Sequence, residues 1–309
     1  MDFEPGDDQR EVQGAVEALL GRHAGAERAA ALDRNSGYDA ELEQALAEAG
    51  FLDLALGEET GFLEAELVVE AVSRAGGAVA IGAAALVAPA VAGVRLEGPV
   101  ALARAGEGGP VRFGCHARHA LVDAGDEARR VRLEPGQAPA VRSNFMYPMG
   151  RLALPDGAGE SLGPGSGETL RRWWRVSLAA EIVGALDACL AVTLDHVKRR
   201  RQFGRAIGSF QAVQHRLAEC AVWIEGCRWL VREAAARGAP SEAAATAAAH
   251  AAAAASRVFH EAHQFHGAMG FTREHPLHVW SMRLQALRLE AGGVASHRRA
   301  AARARWVRR

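Results

Sequence analysis

Hydrophobic positions recur at helical spacing through the first third of the chain. In DDQREVQGAVEALLGRHA, Val12, Val16, Leu19 and Leu20 share one face and acids lead the segment, which predicts an amphipathic helix. DAELEQALAEAGFLDLAL repeats the pattern and stops near Gly50. LEAELVVEAVSRAGGAVAIGAAALVAPAVAG predicts one or two more helices, apolar enough to be largely buried.

The texture changes from residue 98 to about 166. Turn-rich pieces such as GEGGPV, EPGQAP and LGPGSGE alternate with short β-prone runs, VRFGCHA, ARRVRLE and AVRSNFMY. The pattern predicts a small central β domain, a reduced sheet with too few residues for a full barrel. From 167 to 309 the helical period returns in four long segments. Ser209 and Ser241 are the expected N-caps of two of them, and Pro276 opens the last. Long helices joined by short loops predict an antiparallel four-helix bundle. The fold class is therefore mostly α with a small central β domain, divided as 1–97, 98–166 and 167–309.

Composition adds mainly exclusions. A net charge of −1 over 309 residues gives no field for nucleic acid or an anionic membrane. Cys115, Cys189, Cys220 and Cys227 form no CxxC pair and read as free thiols of a reducing, cytoplasmic compartment, with no metal site expected. The start is acidic and lacks the basic and apolar regions of a signal peptide. The apolar stretch around residues 76–93 is rich in Ala and Gly and broken by Pro89, so no membrane span is expected there.

One stretch stands out chemically: RRRQFGRAIGSFQAVQH, residues 199–215. Arginines beside a glycine turn and a new helix start suit an anionic ligand. The same arginines equally suit a solvated helix C-terminus, favoured by the dipole.

RRRQFGRAIGSFQAVQHRLAE resembles the Arg-x-x-Phe-Gly-x-x-Ile-x-x-Phe-Gln segment of acyl-CoA dehydrogenases, and HQFHGAMGFTREHPLHVW resembles their Gln-x-x-Gly-Gly-x-Gly-Phe-Thr-x-Glu-His-Pro segment. The opening helices and LAEAGFLDLAL are similar to that family's N-terminal domain. The resemblance implies FAD bound at a subunit interface. One subunit's β domain holds the flavin ring, and the neighbour's two quoted segments hold the adenine and diphosphate end. It places Arg200 on the diphosphate with Phe203 and Gln211 beside it, and Gln264, Gly267 and Ala268 along a second wall. Ala268 departs from the pattern, since the family has its second glycine there.

The implied reaction is α,β-desaturation of an acyl-CoA thioester, with a carboxylate base taking the α proton. The family places that base in one of two regions. In the first, the turn RLEAGGVASH carries Glu290 one residue early and without the following Gly-Thr. In the second, on the first bundle helix, the position falls at Trp174, and the nearest acid, Glu181, lies two turns downstream. The flavin-holding Trp-Ile-Thr-like segment has no counterpart between 98 and 166, where Phe145 and Tyr147 read as packing residues.

Together these features resemble the shorter subunit of actinobacterial heteromeric acyl-CoA dehydrogenases. That resemblance implies a heterotetramer of two unlike dehydrogenase-like subunits with half the usual number of FAD sites. It further implies a bulky substrate such as a steroid side-chain CoA, and an electron-transfer flavoprotein or similar acceptor. Two alternatives stay open: an independent homo-oligomer with Glu290 as base, and a non-catalytic bundle of the same fold. Val279, Trp280 and Leu284 are the apolar residues expected to face a partner.

Overall fold

The computed structural model describes residues 5–306. Five helices open the chain: α1 (Asp7–His23), α2 (Ala26–Asp33), α3 (Ala40–Glu48), α4 (Phe62–Arg74) and α5 (Ala88–Ala92), the last preceded by a π-helical turn at Ala83–Val87. Val16, Leu19 and Leu20 of α1 are buried, and Val12 packs at the edge of the same core. Asp39 caps α3 by accepting from the Leu42 N–H at 3.1 Å, while Arg28 holds the same carboxylate.

Seven strands follow: β1 (Val100–Arg104), β2 (Pro110–Arg112), β3 (His119–Asp123), β4 (Glu127–Arg132), β5 (Ala140–Val141), β6 (Met149–Arg151) and β7 (Glu160–Pro164). They form two small sheets, ordered β1-β3-β4-β7 and β2-β6-β5. Only β1 and β3 pair in parallel; the other pairings in the two sheets are antiparallel. A minor core of Ala101, Ala120, Val122, Val131 and Leu152 lies between them.

α6 (Ser166–Arg199) runs 34 residues, about 51 Å at 1.5 Å per residue. Its central part, residues 176–190, is apolar on nearly every side because nearly every side is covered. The helix is long and apolar enough to cross a membrane, yet 83% of its most apolar window lies inside the protein. Gly184 lets α4 come close, since a Cβ there would sit 2.1 Å from the Glu70 carbonyl oxygen.

The chain then makes a hairpin, β8 (Arg201–Gln202) and β9 (Arg205–Ala206), followed by α7 (Gln211–Ala236), α8 (Ser241–His266), α9 (Leu277–Leu287) and α10 (Gly293–Trp306). α6, α7, α8 and α9 pack as the bundle, and α10 lies along α8 as a fifth helix.

Three expectations change. Ser209 does not cap α7: it ends a 3-10 turn, its hydroxyl donates to the Ala206 carbonyl, and Phe210 holds the cap position. Ser241 is the first residue of α8, and its hydroxyl donates to Glu168. Val279, Trp280 and Leu284 do not face outward. All three are buried, with the Trp280 indole N–H on the Arg74 carbonyl, because α9 turns its apolar side to α6 and α8. Among the described residues, the large exposed apolar residues of the C-terminal part are Phe203, Val222, Met269, Phe271, Leu289 and Trp306.

Candidate functional site

Both regions in which the resemblance places a base converge on one cavity of about 460 Å³ between the first sheet, α6 and the turn after α9. Trp174 and Glu181 are seven residues apart on α6, two turns, so both face it. Glu290 reaches it from the 3-10 turn Glu290–Gly292. Arg112, the last residue of β2, enters from the opposite wall.

Arg112 spans the two carboxylates. Its Nη1 donates to Glu181 Oε2 at 2.6 Å and its Nε to Glu290 Oε2 at 2.5 Å, while Nη2 lies 3.2 Å from an oxygen of each. Trp174 Nε1–H donates to the other Glu290 oxygen at 2.7 Å. The side chains of Arg112, Glu181 and Glu290 are only 10%, 6% and 17% exposed. Burial alone would lower the Arg112 pKa, but the two carboxylates more than offset it and hold the guanidinium well above its ordinary value. Burial pushes the Glu181 carboxyl up, with Arg112 opposing.

The wall behind this triad is built the same way. Tyr147 lies beneath both Arg112 and Arg283, and burial pushes its phenol up to about 12. Arg283 is itself buried and donates to the Met146 and Gly77 carbonyls. Tyr147 is thus a packing residue, as expected, whereas Phe145 lines the cavity.

This arrangement is poor for base catalysis. Both Glu290 oxygens already accept hydrogen bonds, so proton abstraction would first require breaking them. Nor does the cavity suit a flavin ring: among the described residues no hydroxyl or amide side chain lines it. Sequence reasoning set Glu181 aside and did not find Arg112. Residues 112, 181 and 290 have no spacing signal, and only the fold joins them.

The second candidate region lies at the far end of α6. Arg200 leaves the helix in extended conformation, with its N–H on the His196 carbonyl and its carbonyl accepting from Ile207 N–H. The hairpin turns on Phe203 and Gly204, both at positive φ (53° and 80°), as a two-residue loop between right-twisted strands requires. Phe203 is 89% exposed, and its one aromatic neighbour among the described residues is Phe210, edge-on at 6.1 Å. His196, one turn before Arg200, stacks on His266 at 4.2 Å, which brings the Gln264–Ala268 segment to the same end of the bundle.

Arg200, Phe203, Gln211, Gln264, Gly267 and Ala268 are all exposed. The side chains of Arg200, Gln211 and Gln264 have no hydrogen bond or ion pair among the described residues. Gly267 sits at φ 59° and ψ −139°, and a Cβ placed on it would meet nothing within 4 Å. A guanidinium, amides and bare backbone facing open space fit an extended anionic group such as the diphosphate end of FAD. Arg199 and Arg201 do not flank Arg200 on one helix, because α6 ends at Arg199. Both neighbours are occupied locally, Arg199 on the Asp195 carbonyl and Arg201 on the Gly204 carbonyl.

Comparison with known proteins agrees with both ends of the chain. Residues 6–94 match the acyl-CoA dehydrogenase N-terminal domain and residues 169–305 the acyl-CoA dehydrogenase C-terminal domain. Acyl-CoA dehydrogenase IpdE2 of Mycobacterium tuberculosis is 41% identical over 108 residues, 35% of this chain and 34% of that protein. The match therefore spans about a third of the relative's length. Among solved structures, the ChsE4-ChsE5 complex from Mycobacterium tuberculosis superposes with a TM-score of 0.82 at 25% identity, covering 98% of each chain. A variant of the Tcur3481-Tcur3483 steroid ACAD gives 0.84, also at 25% identity, over 97% of this chain and 98% of that one. With both terminal domains matched and the whole chain superposing on such folds, the protein belongs to the acyl-CoA dehydrogenase family, whose cofactor is FAD.

Proposed function

We propose that the chain is the FAD-contacting, base-less subunit of a heteromeric acyl-CoA dehydrogenase. It lends Arg200, Phe203, Gln211, Gln264, Gly267 and Ala268 to the adenine and diphosphate end of a cofactor whose ring lies in a second, dehydrogenase-like subunit. The observation that carries this reading is the contrast between the two sites. Arg112 and Trp174 occupy Glu290 on both oxygens, while Arg200, Gln211 and Gln264 are left open to a neighbour. FAD supplies the hydride acceptor; this chain's residues bind and orient it, and the partner supplies the base. The complexes of two named chains among the structural relatives support a partner of the same fold. The likeness to the Tcur3481-Tcur3483 steroid ACAD supports a bulky CoA thioester as substrate. An electron-transfer flavoprotein or similar carrier completes the scheme as acceptor.

Flavin content tests this directly. The chain purified alone is expected to be colourless, and the chain co-expressed with its dehydrogenase-like partner to carry FAD seen in the flavin absorbance bands. Stoichiometric FAD and turnover on the lone chain would establish the homo-oligomer with Glu290 as base. A colourless complex would establish a non-catalytic bundle.

Glu290→Gln in the flavin-loaded complex is expected to leave kcat within a few-fold of wild type, since the amide can keep the Trp174 contact and the base is elsewhere. A loss of about a hundred-fold or more, the range for removing a general base, would place the chemistry in this chain.

A further inference from the structure

Three histidines, His196 and two that follow it by 70 and 79 residues, meet at the Arg200 end of the bundle. His196 lies in the last turn of α6, His266 ends α8, and His275 sits in the loop before α9. One ligand nitrogen from each lies within 4.8 Å of the others. No other group of three or more His, Cys, Asp or Glu among the described residues shows this convergence. We propose that these imidazoles form a binding site for a zinc-type divalent cation.

The tautomer of His266 points the same way. Its Nδ1 is 2.8 Å from the Ala262 carbonyl oxygen, which only accepts, so Nδ1 carries the hydrogen and Nε2 holds a lone pair. That Nε2 is buried without a partner, on a side chain only 5% exposed, and the rings facing His266 are those of His196 and His275. A backbone carbonyl fixing the far nitrogen of an imidazole is the usual outer support of a metal-binding histidine. Burial, helped by the neighbouring rings and by Arg199 and Arg200, lowers the His196 pKa to about 4, and burial lowers His266 and His275 also.

Three imidazoles suit Zn²⁺, Co²⁺ or Ni²⁺ and not Mg²⁺ or Ca²⁺, which take oxygen ligands. Zinc–nitrogen bonds near 2.0 Å set tetrahedral ligand atoms about 3.3 Å apart. The trio must therefore close by up to about 1.5 Å, and the 26° stack of His196 on His266 must open. His275, half-exposed on the loop before α9, must give up the 3.3 Å contact of its Nδ1 with the Leu277 N–H to make that movement. Arg199 and Arg200 oppose a cation here, so the fourth position calls for an anionic ligand such as hydroxide or chloride. The separation of His196 from the other two, 70 and 79 residues, explains why the sequence alone suggested no metal site.

The inference concerns this chain's own residues, and its readout is metal and not activity, so it stands or falls separately from the half-site reading. The full-length chain, stripped with a chelator, is titrated with Co²⁺ while the visible d–d absorbance is recorded. The expected result is one Co²⁺ per chain at micromolar affinity or better, displaced by Zn²⁺. His196→Ala, His266→Ala and His275→Ala are each expected to weaken binding at least about tenfold, while His215→Ala, at an exposed position on α7, changes nothing. Should His266→Ala fail to fold, His275→Ala on its loop decides the matter. Absence of a stoichiometric Co²⁺ band, or equal affinity in wild type and His275→Ala, would overturn the proposal.

Discussion

Arg112→Ala is expected to lower folding stability by about 3–5 kcal/mol, the range for removing one partner of a buried ion pair. The cause is not loss of attraction alone. Two carboxylates within hydrogen-bonding reach of one guanidinium are left facing each other in a site with little water. Trp174 still serves one Glu290 oxygen, but nothing among the described residues replaces Arg112 at Glu181. Urea unfolding with a constant m-value measures the effect. Replacing the whole triad, Arg112→Met with Glu181→Leu and Glu290→Met, is expected to recover most of the loss, because well-packed apolar side chains often match a buried ion network. A cost below about 1 kcal/mol for Arg112→Ala, typical of solvated pairs, would show that the cavity is wet and the triad open.

Arg200→Ala in the assembled complex is expected to weaken FAD retention by about one to two orders of magnitude. A charge-assisted hydrogen bond is worth roughly 1.5–3 kcal/mol, and each 1.4 kcal/mol is tenfold in affinity. The chain itself should fold unchanged, since the exposed guanidinium has no hydrogen bond or ion pair among the described residues. Excess FAD should restore activity. Arg199→Ala and Arg201→Ala are the controls, because each of those side chains is engaged with a local carbonyl. Equal FAD loss in all three variants would indicate a diffuse basic patch, and no loss in Arg200→Ala would remove the residue from the cofactor site.

Helical periodicity made most of the architecture legible. The 34 residues of α6 carry an unbroken pattern, and the Gly- and Pro-punctuated middle announces short strands. Helix ends were less legible: hydroxyl residues near α7 and α8 suggested caps, yet Ser209 and Ser241 spend their hydroxyls elsewhere. The apolar residues of α9 illustrate a different limit. Their spacing defines a face, but spacing does not say whether that face meets α6 or a partner subunit; packing decided for α6. The two segments that carry the family resemblance were legible because each is contiguous, with its residues in a fixed order around a glycine turn. The Arg112 triad and the histidine trio were not, since each is assembled from three separate parts of the chain.

α6 joins the two sites at a fixed distance. Trp174 and Arg200 lie 26 residues apart, about 39 Å along a single stiff helix. In evolutionary terms the helix is a spine with two independent ends. Substitutions around Trp174 do not disturb the contacts near Arg200, and mutations that far apart with no shared partner act additively. A lineage that has handed its chemistry to a partner can therefore rebuild the cavity end, replacing a reactive carboxylate with an inert ion network. On the proposed half-site reading, the Arg200 end would meanwhile stay constrained by a cofactor shared with the partner subunit, so the two ends of one helix would answer to different selective pressures.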